Sequence, residues 1–538
     1  MYRSIKKLLL IISAISVLIH AHPRLIVGVV IDQMRMDYLY QLSELYSENG
    51  FKRLLREGAV FTNAHYHYTP TYTAPGHASI YTGTTPSMHG IIANSWYNKG
   101  ENEYCVADRS VQAIGIKETE TEGQMSPKNL LTDTFADALK LATGLQSRSY
   151  AISMKDRGAI LPGGKMADAA YWFVGGKYGK FISSSYYMKN LPKWVETFNQ
   201  TRVDRYMDST WTPYFAADRY FQYRPDDNKY EAPFKGEKKT SFPYVLQTLK
   251  EKNGGYSILS STPFGNTLLK EFAQTLIVQE KLGQNKAVDF LSISFSSIDK
   301  IGHQFGFYSY ETQDAYVRLD REIADLLQTL DHQIGKDQYV LFITGDHAGL
   351  DIPQFLADQR LNAGGINEGE MQDSLNEYLH KKLKIKNLVA NVSNFQVYIN
   401  TTKLTKTVHK NVVEEAIVEY LEAYPHMAYV VTRKELKHNG NFLHGMIQNG
   451  FHLQRSGDVF FLFEPYYAEN NYVPATHGSP YNYDTHVPLI FMGWKIAANT
   501  YSKPVQIADI VTTLANLLRI NPPSAARGQI ILDQQQKK

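Results

Sequence analysis

One short stretch of the chain puts a hydroxyl where it could do chemistry. Pro75 to Thr82 predicts a helix, because the missing N–H of a proline costs little at a first helical position, and Thr73 lies just before that start. Free backbone N–H groups and the helix dipole favour negative charge there. A hydroxyl so placed can become an alkoxide nucleophile if a metal or a base lowers its pKa. The alternative is a plain N-cap threonine.

Three aspartates lie just beyond apolar runs of the kind found in strands buried on both faces: Asp32, Asp299 and Asp346. Ligands of parallel α/β sheets bind at the carboxyl ends of the strands, so residues far apart in sequence can meet there. A single aspartate at a strand end is commonly an N-cap, and that alternative stays open for each of the three.

Histidines accompany the aspartates. His303 follows Asp299 by four residues, which puts both on one helical face, His347 follows Asp346 directly, and His477 lies in a Gly-containing loop. Carboxylate oxygens and imidazole nitrogens without a thiolate suit zinc and, less decisively, manganese. The set has enough ligands for two ions, and a pair about 4 Å apart can hold the attacking and leaving oxygens of an in-line displacement. The alternative for His477 is a solvated loop residue.

Two cations and an amide could bind phosphoryl oxygens. Lys155 and Arg157 alternate about Asp156, so an extended backbone would point both side chains to one face. Asn94 could donate an amide N–H. The alternatives are a solvated surface triplet and a turn residue. The four nearby histidines are interpreted as packing or loop residues and not as ligands: His65, His67, His77 and His89.

The elements that must position these residues alternate between strands and helices. An amphipathic helix is predicted over 316–330 and a further helix over 34–57. The order predicts an α/β fold with a mostly parallel central sheet flanked by helices. Apolar runs predict strands at 25–31, 150–154, 288–294, 339–344, 459–463 and 487–492.

The alternation is lost twice along the chain, which predicts two insertions into one catalytic core. The second insertion has its own strand and helix pattern and is expected to be a small α+β cap. The predicted parts are a signal peptide at 1–21, core parts at 22–164, 256–351 and 456–538, an insertion at 165–255 and the cap at 352–455.

The first residues have the pattern of a secretory signal peptide, with Arg3, Lys6 and Lys7 before an apolar run over 8–19. That run is too short to span a bilayer comfortably, although an uncleaved anchor is the alternative. The 56 basic residues minus these three leave 53, which equals the number of acidic residues. This balance argues against a nucleic-acid partner.

A periplasmic or secreted protein is therefore expected, with no membrane span in the mature chain. The single cysteine, Cys105, excludes an intramolecular disulfide and is expected to be a buried apolar residue. The oligomeric state is left open by the sequence.

Taken together, the motifs resemble those of the alkaline phosphatase superfamily, and most closely its PafA-type periplasmic phosphate monoesterases. The resemblance runs from about residue 25 to 530. It is carried by Val29-Val30-Ile31-Asp32, Thr71-Tyr72-Thr73-Ala74-Pro75-Gly76-His77, Ala93-Asn94-Ser95-Trp96-Tyr97, Lys155-Asp156-Arg157-Gly158, Asp299 with His303, Gly345-Asp346-His347 and Thr476-His477-Gly478.

The resemblance implies a two-zinc enzyme that hydrolyses small phosphate monoesters through a phosphothreonine at Thr73. His477 is preferred to His486 because its His-Gly context matches the motif. The implied sites are one zinc on Asp32, Thr73, Asp346 and His347, a second zinc on Asp299, His303 and His477, and non-bridging phosphoryl oxygens on Asn94, Lys155 and Arg157.

Two other functions are weighed against this one. The related phosphodiesterases and nucleotide pyrophosphatases are similar in their metal set but lack the Lys-x-Arg pair. A non-catalytic exported protein that binds metal or phosphate is less favoured. The sulfatase branch uses a modified cysteine or serine as nucleophile, so a threonine at position 73 argues against it.

Overall fold

The computed structural model of the protein describes residues 22–469 and 474–532. The predicted signal peptide at 1–21 lies outside the described residues. Within the described part of the chain, no helix has both the length and the apolar character needed to cross a membrane.

Strands and helices alternate along most of the chain. The strands are β1 Leu25–Ile31, β2 Ala59–His65, β3 Ser95–Asn98, β4 Glu101–Tyr104, β5 Ala113–Ile114, β6 Ser149–Ser153, β7 Ala169–Val174, β8 Lys180–Ser184, β9 Thr210–Trp211, β10 Tyr244–Val245, β11 Asp289–Phe295, β12 Tyr339–Thr344, β13 Gly364–Ile366, β14 Val389–Ser393, β15 Gln396–Ile399, β16 Met427–Thr432, β17 Val459–Phe463, β18 Tyr467–Glu469, β19 His486–Gly493, β20 Asn499–Tyr501 and β21 Val505–Gln506. The α-helices are α1 Tyr38–Gln41, α2 Phe51–Glu57, α3 Thr73–Thr82, α4 Pro86–His89, α5 Phe135–Ala142, α6 Asp156–Gly163, α7 Lys193–Met207, α8 Leu246–Leu249, α9 Pro263–Gln279, α10 Ser297–Phe305, α11 Tyr310–Leu330, α12 Pro353–Asp358, α13 Glu368–Leu383, α14 Lys410–Glu422, α15 Phe442–Gly450, α16 Asn482–Thr485 and α17 Asp509–Leu518.

An 11-stranded sheet forms the centre of the molecule, in the order β20-β2-β19-β12-β1-β11-β6-β7-β8-β5, with β21 paired to β2. β1 is parallel to both β11 and β12, whereas β19 is antiparallel to β12 and β2. The predicted α/β fold with a central sheet flanked by helices is confirmed, and the sheet is mixed.

The strand β1 explains why its sequence is apolar throughout. Successive side chains of a strand point to opposite faces. Leu25, Val27 and Val29 pack into one hydrophobic core, while Ile26 and Val30 pack into the other. Because both faces are covered, all seven residues of β1 are buried.

The two predicted insertions have different boundaries from those expected. β7 and β8 are members of the central sheet, so the first insertion begins after Ser184 and not at 165. β17, expected to resume the central sheet, instead joins the four-stranded cap sheet β14-β15-β17-β16. It is as apolar as a central strand because the cap buries it in a hydrophobic core of its own.

The predicted helix over 34–57 is interrupted in the structure, where α1, a 3₁₀ turn at Ser43–Leu45 and α2 replace it. Asp320, from α11, accepts hydrogen bonds from the backbone N–H groups of Ser47 (2.6 Å) and Phe51 (2.7 Å). A distant carboxylate therefore satisfies one free N–H group at the start of α2 and another in the turn before it. Local periodicity carries no information about this contact.

His89 packs under the helix that carries Thr73. Its Nδ1 accepts a hydrogen bond from Ile91 N (3.1 Å), and its Nε2 lies 3.0 Å from Ser79 Oγ. The ring is fully buried, which fits the packing role expected from the sequence. Burial, and then the charge of Arg455, lower the pKa of His89 to about 3.

Because His89 is buried without its charge, we expect the free energy of unfolding to fall at acid pH. Its pKa in the folded state lies below the value of about 6.5 in the unfolded state. The contribution of neutral His89 to the free energy of unfolding is therefore complete above that pH and is lost as the pH falls toward 3. We expect His89 to cost the wild type up to about 1.4 kcal/mol of unfolding free energy per pH unit below pH 6. Urea unfolding at several pH values measures this slope.

The variant His89→Asn should remove that part of the slope, and His332→Asn, at an exposed histidine, should leave it unchanged. The same pH slope in wild type and His89→Asn would contradict the assignment.

Candidate active site

The order of the sheet gathers three aspartates at one edge. β1 lies between β11 and β12. Asp32 directly follows β1, Asp346 comes shortly after β12, and Asp299 lies in the first turn of α10, which follows β11. The carboxyl ends of parallel neighbouring strands meet at one edge, so the structure brings the three carboxylates together.

The helix α3 brings Thr73 into this group. It begins at Thr73 itself, with Tyr72 as N-cap, so Pro75 is its third residue and not its first, as the sequence predicted. All ten residues of α3 are buried. A Cβ atom at Gly76 would collide with the backbone oxygen of Asp346, so only glycine permits this close approach.

Two side chains fix the start of α3. Asn94 Oδ1 accepts a hydrogen bond from Ala74 N (2.9 Å), which satisfies one of the free N–H groups of the first turn. Because Asn94 also lines a cavity at the site, its amide Nδ2 is the group left to meet a ligand. His77 Nδ1 donates to the carbonyl of Thr73 (2.9 Å), and its Nε2 lies 2.8 Å from Ser294 Oγ.

The positioning role of His77 was not predicted from the sequence. Its ring is fully buried, and its Nδ1 also lies 3.3 Å from Asp346 Oδ2. The available signal was the spacing, since a residue four positions after Thr73 lies on the same helical face.

Two overlapping groups of side chains could each hold a metal ion. Their ligand atoms lie within 4.8 Å of one another in the sets Asp299, His303 and His477, and Asp32, Asp299 and His347. The first set has the composition implied by the resemblance. The second contains Asp299 where Asp346 was implied, although Asp346 Oδ2 lies 3.6 Å from His347 Nε2.

The three imidazoles are oriented in the same way. Each donates its Nδ1–H to a backbone carbonyl, which leaves Nε2 to face the carboxylates, as metal-ligating histidines commonly do. The pairs are His303 with Ala475 (2.7 Å), His347 with Ala348 (2.9 Å) and His477 with Thr71 (2.8 Å).

Several polar atoms at the centre lack a hydrogen-bond partner. Buried groups are nearly always paired, so unpaired atoms that converge on one point fit a bound cation. Within the described residues, the buried atoms without a hydrogen bond include Asp32 Oδ1, Asp299 Oδ1, Asp346 Oδ2 and His347 Nε2. Oxygen and imidazole ligands without sulfur suit zinc.

Lys155 extends into the same centre. Its Nζ lies 2.6 Å from Asp32 Oδ2, 2.6 Å from Asp299 Oδ2 and 3.4 Å from Thr73 Oγ1. Burial alone would lower the pKa of Lys155, but the charges of Asp299 and Asp32 raise it above its ordinary value. The ammonium is therefore a fixed positive charge beside the Thr73 hydroxyl.

Arg157 reaches the site by a different route from the one predicted. Only Lys155 is extended; α6 begins at Asp156, so Arg157 lies in a helical turn. Its Nη1 donates to the Tyr104 hydroxyl (3.1 Å). Lys155 and Arg157 nevertheless line one cavity, of about 620 Å³.

A larger cavity of about 750 Å³ has Asn94, His303 and His477 in its wall. Lys300 lines both cavities. Burial, and then repulsion from Lys155 and Arg157, lower the pKa of Lys300 to about 8.

The structure distinguishes His477 from His486, the two histidines considered for one ligand position. The rings of His477 and His347 stack with centroids 3.5 Å apart. His486 instead stacks on His65, at 4.6 Å, and its Nε2 donates to the carbonyl of Thr62. Asp484 was not identified from the sequence; its Oδ2 accepts from the backbone N–H groups of the residues after His477 and so holds that loop.

Comparison with known proteins gives a consistent result over nearly the whole chain. The model of the type I phosphodiesterase / nucleotide pyrophosphatase family matches residues 26–480. The chain is 44% identical to a protein of Myroides odoratus named calcium-transporting ATPase, with 94% of this chain and 93% of the relative covered. It is 39% identical to alkaline phosphatase PhoV of Synechococcus elongatus, with 95% and 93% covered.

It is also 36% identical to alkaline phosphatase PafA of Elizabethkingia meningoseptica, with 95% and 94% covered. The crystal structure of wild-type PafA matches with a TM-score of 0.91, covering 95% of this chain and 98% of that one. A second PafA structure, with a TM-score of 0.90, covers the same shares of the two chains. It carries four substitutions, of a threonine by serine and of an asparagine, a lysine and an arginine by alanine.

Proposed function

Since this chain belongs to the type I phosphodiesterase / nucleotide pyrophosphatase family, within the alkaline phosphatase superfamily, we propose that it is an exported, zinc-dependent alkaline phosphatase that hydrolyses phosphate monoesters. The observation that carries the proposal is the position of Lys155 Nζ. It contacts Thr73 Oγ1 and, in addition, carboxylates of both candidate metal groups.

The proposed metal ligands are those that the resemblance implies, and Asp299 also lies within ligand distance of the group that contains Asp32 and His347. Zinc bound there would supply Lewis-acid stabilisation of charge on the attacking and leaving oxygens. The unpaired buried carboxylate and imidazole atoms support this assignment. The ligands are Asp32, Thr73, Asp346 and His347 for one ion and Asp299, His303 and His477 for the other.

Thr73 is the proposed nucleophile. Its hydroxyl loses a proton, and Oγ1 attacks phosphorus while the P–O bond to the alcohol part breaks, so that the alcohol leaves with a proton taken from solvent. Water then hydrolyses the phosphothreonine, which releases inorganic phosphate and restores the Thr73 hydroxyl. Its place in the first turn of α3 supports this role, because the N-terminal end of a helix stabilises negative charge. His77 and Asn94 would keep the nucleophile in place through their hydrogen bonds to the first turn.

Lys155, Arg157 and the Asn94 amide are proposed to bind the non-bridging oxygens, where the charge of a transferring phosphoryl group is concentrated. The substituted PafA variant supports this proposal. Its four replaced residues have the same types and order as Thr73, Asn94, Lys155 and Arg157, with one residue between the lysine and the arginine in both chains.

Metal analysis combined with substrate comparison tests the proposal. We expect close to two zinc ions per chain and faster hydrolysis of p-nitrophenyl phosphate than of its methyl diester. ATP is included among the compounds to be tested, because a relative is named a calcium-transporting ATPase. A strong diester preference would support the phosphodiesterase alternative, and absence of turnover would support a binding protein. N-terminal sequencing of the exported protein tests the predicted signal peptide.

The two proposed phosphate-binding cations give a sharper prediction. Lys155→Ala and Arg157→Ala should each lower kcat/KM for the monoester about 100-fold, because charge-assisted contacts to the dianion are lost. The loss for the methyl diester should be about 10-fold or less, since the diester carries one charge fewer. Steady-state rates on both substrates measure the difference.

Lys177→Ala is a matched control. Lys177 lines the same 620 Å³ cavity but is exposed and pairs with Glu120 at 3.3 Å. It should change neither rate substantially. If the Lys155 and Arg157 variants lose equal activity on the monoester and the diester, these two residues do not have the proposed role in binding the phosphoryl dianion.

A further inference from the structure

Lys300 is the residue that the two cavities at the site have in common among the described residues. It forms part of the 750 Å³ cavity together with His303 and His477. It also forms part of the 620 Å³ cavity together with Lys155 and Arg157. Its side chain therefore belongs to the boundary between the proposed phosphoryl site and the space beside it.

Within the described part of the chain, the side chain of Lys300 differs from the neighbouring cations in having no hydrogen-bond or ion-pair partner. Lys155 contacts two carboxylates, and Arg157 donates to Tyr104. The side chain of Lys300 makes no hydrogen bond or ion pair with any residue of the described ranges, although it is only partly exposed. A cation withdrawn from water without a partner is costly, so a ligand anion would offset that cost.

The wall of the larger cavity contains both polar and apolar residues and carries more positive than negative groups. Its described lining residues include two lysines, Lys235 and Lys300, and one carboxylate, that of Glu469. Lys300 also follows Asp299 in the first turn of α10, where the helix dipole favours an anion. The uncharged polar part of the wall includes Asn102, Asn253, Gln304, Ser393 and Asn394.

We infer that Lys300 binds a second anionic group of the substrate. The preferred monoesters are then small polar molecules whose alcohol part carries a carboxylate or a further phosphate. This inference rests on the proposed phosphatase function, because it assigns the 750 Å³ cavity to the alcohol part of the ester.

A pair of substrates that differ in one charge tests the inference. 3-Phosphoglycerate and glycerol 3-phosphate share a phosphate ester, but only the first has a carboxylate. At about pH 7 and low salt, the wild type should have the higher kcat/KM for 3-phosphoglycerate. In Lys300→Met the ratio of the two kcat/KM values should fall about 10-fold, the effect of losing one charge-assisted contact.

Two further variants separate charge from structure. Lys300→Arg keeps the positive charge and should keep most of the ratio, whereas Lys235→Met, at an exposed lysine of the same wall, should change it by about 2-fold or less. Raising the salt concentration should lower the wild-type ratio, because a partly exposed charge pair is screened.

The two proposals fail in different ways. If the wild type hydrolyses both esters but Lys300→Met leaves the ratio of the two kcat/KM values unchanged, Lys300 does not bind a second anionic group and the inference is wrong. If the wild type hydrolyses p-nitrophenyl phosphate but neither of these esters, the inference alone is wrong. If it hydrolyses none of the three, the proposed phosphatase function fails and the inference fails with it.

Discussion

Thr73→Ala should lower kcat/KM for phosphate monoesters by at least about 1,000-fold, because alanine has no oxygen to attack phosphorus. The helix that carries the residue should remain in place. Its start is held by the Asn94 amide and by His77, and its close approach to Asp346 depends on Gly76 and not on the Thr73 hydroxyl. Rates should be compared at equal zinc content, so that the loss is assigned to the nucleophile.

Thr73→Ser is the matched control for this prediction. Serine keeps the hydroxyl and loses only a methyl group, so most of the activity should remain. Trapping of a phosphorylated residue by acid quench should succeed with wild type and serine and fail with alanine. An alanine variant as active as the wild type would exclude Thr73 as nucleophile and with it the proposed mechanism.

The strand-end aspartates show how far sequence reasoning reaches in this protein. An apolar run followed by a carboxylate predicts both a buried strand and the end at which a ligand site forms. The order of the strands is not encoded locally. That β1 lies between β11 and β12, and so brings Asp32 between Asp299 and Asp346, results from tertiary packing of segments more than about 260 residues apart.

The features that sequence reasoning missed share a physical cause. The apolar run at 459–463 predicted burial correctly at β17 but could not assign the sheet, because the cap has a hydrophobic core as apolar as the centre. The strand β7 was not predicted, since it lies in the stretch assigned to the first insertion. The membership of Asp299 in both candidate metal groups depends on ångström-scale distances between separate elements. Such distances follow from packing and not from spacing along the chain.

Asp299→Asn is the second change expected to have a large effect, because this carboxylate belongs to both candidate metal groups and also contacts Lys155. Its Oδ1 lies 3.1 Å from His303 Nε2 and 3.6 Å from His477 Nε2, and its Oδ2 lies 2.6 Å from Lys155 Nζ. Burial alone would raise the pKa of Asp299, but His303 and Lys155 hold it well below its usual range. The group is therefore a permanent anion.

An amide at this position removes the charge but keeps the shape. We expect zinc content to fall by at least about one ion per chain and kcat/KM to fall by about 100-fold or more, because a hard anionic ligand is lost from both candidate groups. Asp108→Asn is the control: Asp108 is also a buried aspartate, but it accepts from Ser126 Oγ (2.6 Å) and belongs to neither group. It should keep its zinc. Full zinc content in Asp299→Asn would show that the two metal groups do not share this carboxylate, and the arrangement proposed for the site would then be wrong at its centre.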